Sequence, residues 1–254
     1  NMSQNVLVVH GGGPTAVINA SLYGVIEEAK RNPEVGKVYG AIGGTGAIFS
    51  ETFIDLTSFD DEKLKLLLHT PASAIGSSRY PLYEKDYEKM VDIFKKHDIK
   101  YVLLNGGNGT MDACGHIYEV CKDQDIKVVG IPKTIDNDIA MTDHSPGYGS
   151  AARFIAASTQ EVGEDVKSLP IHVCIMEAMG RNAGWITAAS ALARRKQGDA
   201  PHLIYLPERN FNEDEFLEDV SKLQKKQGGV VVLVSEGLHD ANGESIVPPI
   251  FKSE

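Results

Sequence analysis

Two carboxylates and a lysine follow one short apolar stretch of the sequence. The run KVVGIP at 127–132 is followed by KTIDND, so Lys133, Thr134, Asp136 and Asp138 are close neighbours. Phosphoryl transfer to an alcohol needs one carboxylate to take the hydroxyl proton and another to hold or orient Mg²⁺. Lysine adds a compact positive charge for an anionic donor. This spacing indicates phosphoryl transfer, although an Asp pair in a turn is also compatible with a solvated loop.

Glycine-rich turns follow several other strand-like runs. HGGGPTAVINAS begins at His10, GGNGTMDA begins at Gly106, and MGRNAGW begins at Met179. Glycines between a strand and a helix expose amide groups at the positive end of the helix dipole, which suits phosphate. Arg181 adds a guanidinium that can bind a phosphate or sugar hydroxyls through paired hydrogen bonds. Together the turns predict a polyphosphate site, whereas any one alone is also an ordinary strand–helix connection.

The first glycine turn also fits a different ligand class. GGGPTA at 11–16 satisfies the dinucleotide-binding pattern GxGxxA. That pattern expects an acidic residue at the end of the second strand to bind a ribose. Here the second strand-like run ends AIGGTG, which contains no carboxylate, so a nicotinamide site is disfavoured.

Alternating strand-like and helix-like runs must position these turns. Short apolar strands separated by helices predict a parallel sheet buried on both faces, with ligands beyond the carboxyl ends of its strands. The turn-rich stretch DHSPGYGSAA at 143–152 marks a boundary between two α/β lobes, 1–148 and 149–254. The predicted strands are 5–10, 37–42, 101–105, 127–132, 171–177, 202–207 and 230–237, and the predicted helices are 16–31, 61–68, 86–97, 110–122, 149–167, 184–195 and 212–227.

Composition narrows the class of partner. The 254 residues carry a formal net charge of −10 without a compensating basic stripe, which argues against nucleic acid and anionic membranes as partners. No apolar run approaches the roughly 18 residues that span a bilayer, and no signal peptide is visible. Cys114, Cys121 and Cys174 form no CxxC pair, so we expect three buried, reduced thiols. We therefore expect a soluble cytoplasmic protein.

Five ordered stretches resemble the phosphofructokinase family. They are GGGPTAVINA, GGNGT, PKTIDNDIAMTDHSPGYGSAA, MEAMGRNAGW and PHLIYLPE, and the resemblance covers essentially the whole chain. It implies transfer of phosphate to the 1-hydroxyl of fructose 6-phosphate, giving fructose 1,6-bisphosphate in glycolysis, with Mg²⁺ as cofactor. It also implies two Rossmann-like α/β lobes with mainly parallel sheets, an active site in the cleft between them, and homodimers or homotetramers. Some members use ATP and others pyrophosphate.

The resemblance implies roles for individual residues. Asp136 is expected to deprotonate the 1-hydroxyl, assisted by Lys133 and Thr134, while Arg79 neutralises charge on the bridging oxygen. Mg²⁺ is expected at Asn108 and Asp138. Donor contacts are implied for Gly13, Arg79, Gly106, Gly107, Asn108, Gly109 and Thr110, and sugar-phosphate contacts for Thr134, Asp136, Asp138, Met179, Gly180, Arg181 and Glu208.

Three positions depart from the usual family pattern. Asn108 replaces an aspartate, which predicts weaker Mg²⁺ binding because the oxygen ligand is uncharged. Gly109 leaves open the space that an aspartate fills in pyrophosphate users, so ATP is the expected donor. Lys133 and the wording GGPTAVINAS favour pyrophosphate as the alternative. His172 stands where the family has an arginine that reaches a neighbouring subunit's sugar phosphate; we assign it to the substrate site, with an ordinary strand histidine as the alternative.

Two further functions are considered. A kinase of the NAD or lipid class shares a GGDGT-like turn but does not require PKTIDND or MGR. A regulatory homologue that binds sugar phosphate with little turnover is favoured by Asn108 and His172 and opposed by the retained Asp136 and Arg181. Family members also continue past SEG into a segment that binds the 6-phosphate, so we expect these 254 residues alone to bind fructose 6-phosphate poorly.

Overall fold

The chain divides into two compact units. The computed structural model describes residues 4–169 and 173–246, and the division falls between Thr134 and Ile135. This is earlier than the predicted boundary at 148/149. The reason is that the loop after Thr134 packs with the second unit, where Ile135 lies against the core and close to Gly147. The polar turn composition at 143–152 marks the end of that loop rather than the point where contacts change.

The first unit is a five-stranded sheet with helices on both faces. Its strand order is β3-β2-β1-β4-β5, and only β3 runs antiparallel to its neighbour. The strands are β1 (Gln4–Gly11), β2 (Val35–Ala41), β3 (Phe53–Asp55), β4 (Ile99–Gly106) and β5 (Lys127–Pro132), and the helices are α1 (Ile18–Arg31), α2 (Gly46–Phe49), α3 (Asp61–Lys65), α4 (Glu84–Lys96) and α5 (Asn108–Cys121).

The alternating directions of the side chains along β1 explain why helices pack on both faces of this sheet. Leu7 and Val9 pack with residues of α4 and α5, whereas Val6 and Val8 pack with residues of α1. Successive side chains of a strand point to opposite faces, so an uninterrupted apolar run needs helices on both sides. The carboxyl ends of β1 and β4 therefore lie side by side, with Gly11 paired to Gly106. This pairing brings the first two glycine turns together.

The second unit contains a three-stranded parallel sheet in the order β6-β8-β7. Val231 and Leu233 of its central strand are fully buried against Ile155 and Ile186. The elements are α6 (Tyr148–Ser168), β6 (Val173–Ala178), α7 (Trp185–Ala189), β7 (Leu203–Tyr205), α8 (Glu213–Gln227) and β8 (Val230–Ser235). The predicted helix at 184–195 is shorter than expected, because a 3₁₀ turn at 190–193 replaces its second half.

These observations confirm the predicted α/β class with mainly parallel sheets. The three cysteines are free thiols, but Cys174 is only partly buried, unlike Cys114 and Cys121. Burial raises the pKa of Cys121 to about 11, so this thiol stays protonated and unreactive at neutral pH. Across the described residues, the helices are too short or too polar to cross a lipid bilayer.

Candidate active site

Three loops of the first unit meet beyond the carboxyl ends of β1 and β4. Gly11 forms a parallel bridge with Ser78, and the Gly12 amide donates to the Ser78 carbonyl at 3.1 Å. The Ser77 hydroxyl donates to the Gly12 carbonyl at 2.6 Å. Arg79 follows directly in the chain and is exposed. The structure therefore brings the predicted donor residue Arg79 to the edge of the first glycine turn.

Thr110 explains why two of these positions are glycine. A Cβ on Gly11 would lie 3.0 Å from Thr110 Cγ2 and still closer to Thr110 Oγ1. A Cβ on Gly106 would lie 2.6 Å from Thr110 Cβ and 2.7 Å from the Gly11 carbonyl oxygen. Thr110 thus packs directly against both glycine turns. Any side chain at Gly11 or Gly106 would push the turns apart.

Lys133 lies within the same group of loops. Its side chain is 7% exposed, and Nζ donates to the Gly13 carbonyl oxygen. The Lys133 amide donates to the Gly106 carbonyl at 2.9 Å. Cβ atoms built on Gly12 and Gly107 would lie 3.6 and 3.7 Å from Nζ, so the ammonium group lies beside glycine backbone. A cation among glycines is suited to a compact polyanion.

Gly13, Asn108 and Gly109 form the open side of this group. All three are exposed, and a Cβ on Gly13 or Gly109 would meet no atom within 4 Å. Asn108 and Gly109 belong to the first turn of α5, which contains no acidic residue. The positive end of the helix dipole is therefore not neutralised by a carboxylate in this turn. We call the loops of the first unit that carry the predicted donor-binding and neighbouring catalytic residues the donor cluster. Its residues are Gly13, Arg79, Gly106, Gly107, Asn108, Gly109, Thr110, Lys133 and Thr134.

His10 was not identified from the sequence, yet it lies at the base of the donor cluster. Its ring is fully buried, with Nδ1 2.7 Å from Ser73 Oγ and Nε2 3.2 Å from Asn105 Nδ2. The Ser73 hydroxyl donates to the Gly76 carbonyl, so its oxygen accepts from Nδ1–H, and Nε2 accepts from the Asn105 amide. Burial, followed by the charge of Lys133, lowers the pKa of His10 to about 4. His10 is thus uncharged at neutral pH, and its ring connects the strand before the first glycine turn to the 73–76 loop by a hydrogen bond.

The second unit contains the Asp136 and Asp138 carboxylates. Both side chains are partly exposed, and they flank Asn137, which is 9% exposed. Asn137 has a φ of 59°, a left-handed conformation that asparagine tolerates better than most residues. Its side chain accepts from the Ser145 amide at 2.7 Å and donates to the Asp143 carbonyl at 3.2 Å. These two hydrogen bonds join the turn between the two aspartates to residues 143 and 145 of the same loop.

The loop at 179–184 also belongs to the second unit, and two glutamates bind its backbone. Gly180 has a φ of 116°, and its amide donates to Glu236 Oε1 at 3.0 Å. The Gly184 amide donates to Glu208 Oε1 at 2.7 Å. Met179 is 59% exposed, and Arg181 is also exposed. The predicted residues Met179, Gly180, Arg181 and Glu208 are thus neighbours.

Glu236 is a candidate that sequence reasoning missed. It follows β8 directly and its amide donates to the Ala178 carbonyl at 3.0 Å, which sets its carboxylate against the Gly180 amide. The signal was present in the sequence, since VVVLVSEG places a carboxylate at the end of a strand-like run. His172, the remaining predicted sugar-phosphate residue, lies outside the described residues.

The described residues contain no group of three or more His, Cys, Asp or Glu side chains arranged to hold a metal ion. Magnesium usually binds proteins through one or two carboxylates and completes its coordination with water and substrate phosphates. Asp138 in the second unit offers a carboxylate and Asn108 in the first unit an amide oxygen, and both are oxygen ligands of the kind that Mg²⁺ prefers.

The Phosphofructokinase family model matches residues 5–253. The chain belongs to the phosphofructokinase family. A relative from Rhodospirillum rubrum, pyrophosphate–fructose 6-phosphate 1-phosphotransferase, is 44% identical over 244 residues, covering 95% of this chain and 60% of that protein. An ATP-dependent 6-phosphofructokinase from Amycolatopsis methanolica is 30% identical over 247 residues, covering 93% and 52%.

A solved structure extends the comparison to the family fold. The pyrophosphate-dependent phosphofructokinase from Nitrosospira multiformis superimposes with a TM-score of 0.80 at 38% identity, covering 95% of this chain and 62% of that one. The family resemblance drawn from the motifs is therefore confirmed. The chain spans about three fifths of the length of these two pyrophosphate-dependent relatives.

Proposed function

We propose that the protein transfers a phosphoryl group from pyrophosphate to the 1-hydroxyl of fructose 6-phosphate. The observation that carries this proposal is the 44% identity to a pyrophosphate-dependent phosphotransferase, against 30% to an ATP-dependent enzyme. This reverses the expectation from Gly109 that ATP is the donor. The alternative that Lys133 and GGPTAVINAS favoured is the better supported one.

The donor cluster provides the means to bind pyrophosphate. Lys133 holds a buried ammonium group beside Gly12, Gly13 and Gly107, and the positive end of the α5 dipole opens on the same loops. Backbone amides, a helix dipole and one point charge together stabilise a small polyanion without recognising a base or a ribose. Arg79 adds a planar guanidinium that can neutralise charge on the oxygen bridging the two phosphorus atoms.

Asp136 is the proposed general base. It takes the proton of the 1-hydroxyl as the sugar oxygen attacks the terminal phosphorus of the donor. The bond from that phosphorus to the bridging oxygen breaks, and inorganic phosphate leaves with the electron pair. A positioned general base contributes roughly 10²–10⁴ in rate. Positioning and charge stabilisation supply the remainder in phosphoryl transfer.

The 179–184 loop is the proposed site of the sugar phosphate. Arg181 supplies charge for the phosphate or donors for sugar hydroxyls, and Glu236 and Glu208 hold the loop through the Gly180 and Gly184 amides. Each glutamate uses one carboxylate oxygen in its hydrogen bond to the loop. The other oxygen can accept a hydrogen bond from a sugar hydroxyl. We therefore add Glu236 to the substrate residues implied by the resemblance.

Asp138 and Asn108 are the proposed protein ligands of Mg²⁺. When bound, Mg²⁺ would screen the negative charge of the donor phosphates. Because Asn108 is uncharged, binding relies more on Asp138 and on the substrate oxygens. We further propose a homodimer or homotetramer, as in the family generally, which light scattering on the purified protein would test.

ATP is retained as a second candidate donor because of one observation. A Cβ on Gly109 meets no atom within 4 Å, so no side chain there obstructs a longer polyphosphate. The experiment is to incubate the full-length protein with fructose 6-phosphate and Mg²⁺, with pyrophosphate or ATP in separate reactions, and to follow the bisphosphate. We expect product with pyrophosphate. Product with ATP alone contradicts the donor assignment, and binding of fructose 6-phosphate without product from either donor favours the regulatory homologue.

A further inference from the structure

We propose that Asn137 is a positioning residue that sets the geometry of the Asp136 and Asp138 carboxylates. This role rests on the proposed phosphoryl transfer, and it concerns a residue to which neither the motif analysis nor the comparisons give a function. Asn137 stands between the two carboxylate-bearing residues, so its backbone conformation fixes the peptide groups on both sides. Its burial and its two hydrogen bonds identify it as the fixed point of the 135–147 loop.

The first observation is the backbone conformation. Asn137 has a φ of 59°, which places it in the left-handed region between two aspartates. Asparagine is among the non-glycine residues that enter this region most readily. A residue in the left-handed conformation turns the backbone sharply. The side chains of the residues before and after it therefore point in different directions. A β-branched or bulky residue at this position would flatten the turn and move both carboxylates.

The second observation is the pair of side-chain hydrogen bonds. Oδ1 accepts from the Ser145 amide at 2.7 Å, and Nδ2 donates to the Asp143 carbonyl at 3.2 Å. Ser145 is fully buried, and its carbonyl accepts from the Tyr148 amide at the start of α6. The amide of Asn137 therefore connects the candidate catalytic turn to the beginning of a 21-residue helix. A solvated surface loop would not need this connection.

The same loop contains a matched control. Met141 also has a left-handed φ, 58°, but its side chain is fully exposed. Replacing Met141 by glycine changes the same kind of backbone position without removing a buried hydrogen-bonding group. Any effect common to Asn137→Gly and Met141→Gly is a general effect of loop flexibility. An effect confined to Asn137→Gly belongs to the amide side chain.

The test compares three variants in the full-length protein with pyrophosphate, fructose 6-phosphate and Mg²⁺. Asn137→Gly keeps the left-handed backbone and removes both hydrogen bonds, so we expect kcat to fall 10- to 100-fold with KM for fructose 6-phosphate changed less than threefold. Met141→Gly should keep kcat within twofold. Asn137→Asp keeps the acceptor for the Ser145 amide and loses only the donor to the Asp143 carbonyl, so its kcat should fall less than that of Asn137→Gly.

Each outcome decides a different claim. If Asn137→Gly lowers only the unfolding midpoint and leaves kcat per folded molecule unchanged, the positioning role is overturned. Equal losses in Asn137→Gly and Met141→Gly also overturn it. If the unsubstituted protein has no turnover with either donor, the proposed function fails and this role fails with it. Selective loss of kcat in Asn137→Gly, with a smaller loss in Asn137→Asp, supports the role.

Discussion

Substitution of Gly11 tests the packing on which the donor cluster depends. In Gly11→Ala the new Cβ would lie 3.0 Å from Thr110 Cγ2 and 3.1 Å from Thr110 Cβ, and closer still to Thr110 Oγ1. Overpacking of this kind costs about 1–3 kcal/mol. All three contacts belong to one side chain, so Thr110→Ala in the same chain removes two of them. We expect the double variant to recover about 1–2 kcal/mol of the loss, measured as a coupling energy.

A second double-mutant cycle, with Gly106→Ala in place of Gly11→Ala, should give a different result. The Cβ added at Gly106 would also meet the Gly11 carbonyl oxygen at 2.7 Å, which is backbone and cannot rotate away. Thr110→Ala should therefore rescue Gly106→Ala much less than it rescues Gly11→Ala. Gly109→Ala is the control without a steric clash, and it should leave stability unchanged or raise it by up to about 1 kcal/mol, because its Cβ is unobstructed and alanine favours a helix over glycine.

The assay must report the first unit. The single tryptophan, Trp185, belongs to the second unit, so its fluorescence is unsuitable. Hydrogen exchange of peptides from β1 and β4 in increasing urea gives the stability of the strands that carry the turns. The reasoning is refuted if these peptides are as well protected from exchange in Gly11→Ala as in the unsubstituted chain. It is also refuted if adding Thr110→Ala to Gly11→Ala restores none of the lost protection.

Three further predictions address charge in and around the donor cluster. Burial lowers the pKa of His10 from 6.5 to about 4, so its contribution to stability is full above pH 6.5 and is lost as pH falls towards 4. The loss is about 3 kcal/mol, and His10→Asn should flatten the stability–pH curve in that range in urea titrations. Gly109→Asp should weaken any ATP-driven turnover about tenfold by like-charge repulsion and leave pyrophosphate turnover within a few-fold; equal losses with both donors contradict this. Asn108→Asp should lower the Mg²⁺ concentration for half-maximal rate several-fold, and an unchanged requirement counts against Asn108 as a ligand.

Much of the fold can be predicted from the pattern of apolar residues in the sequence. The runs at 5–10, 101–105 and 127–132 are apolar and short, and they form β1, β4 and β5. Strand β3 and helix α2 escaped prediction because three or four residues are too few to show a period. The second half of the predicted helix at 184–195 failed for another reason, since its small residues fit a 3₁₀ turn equally well.

The sequence suggested candidate site residues where motifs occur in a recognisable order. Lys133 and the glycines carried their own signal, because glycine density reveals close backbone approach. His10 and Glu236 were missed although each stands at the end of a strand-like run, since the sequence does not show which partners their side chains bind. Their roles depend on partners 63 and 56 residues away in the chain, which only the folded structure brings together. The donor could not be fixed from Gly109 alone, because open space permits ATP without requiring it.

Turnover of Asp136→Asn in the pyrophosphate reaction tests the central claim most directly. The asparagine keeps the shape of the side chain but cannot take the proton of the sugar hydroxyl. We predict that kcat for fructose 1,6-bisphosphate formation falls by roughly 10²–10⁴, with the unfolding midpoint and KM for both substrates nearly unchanged. A variant that turns over pyrophosphate and fructose 6-phosphate at close to the unsubstituted rate would contradict the account.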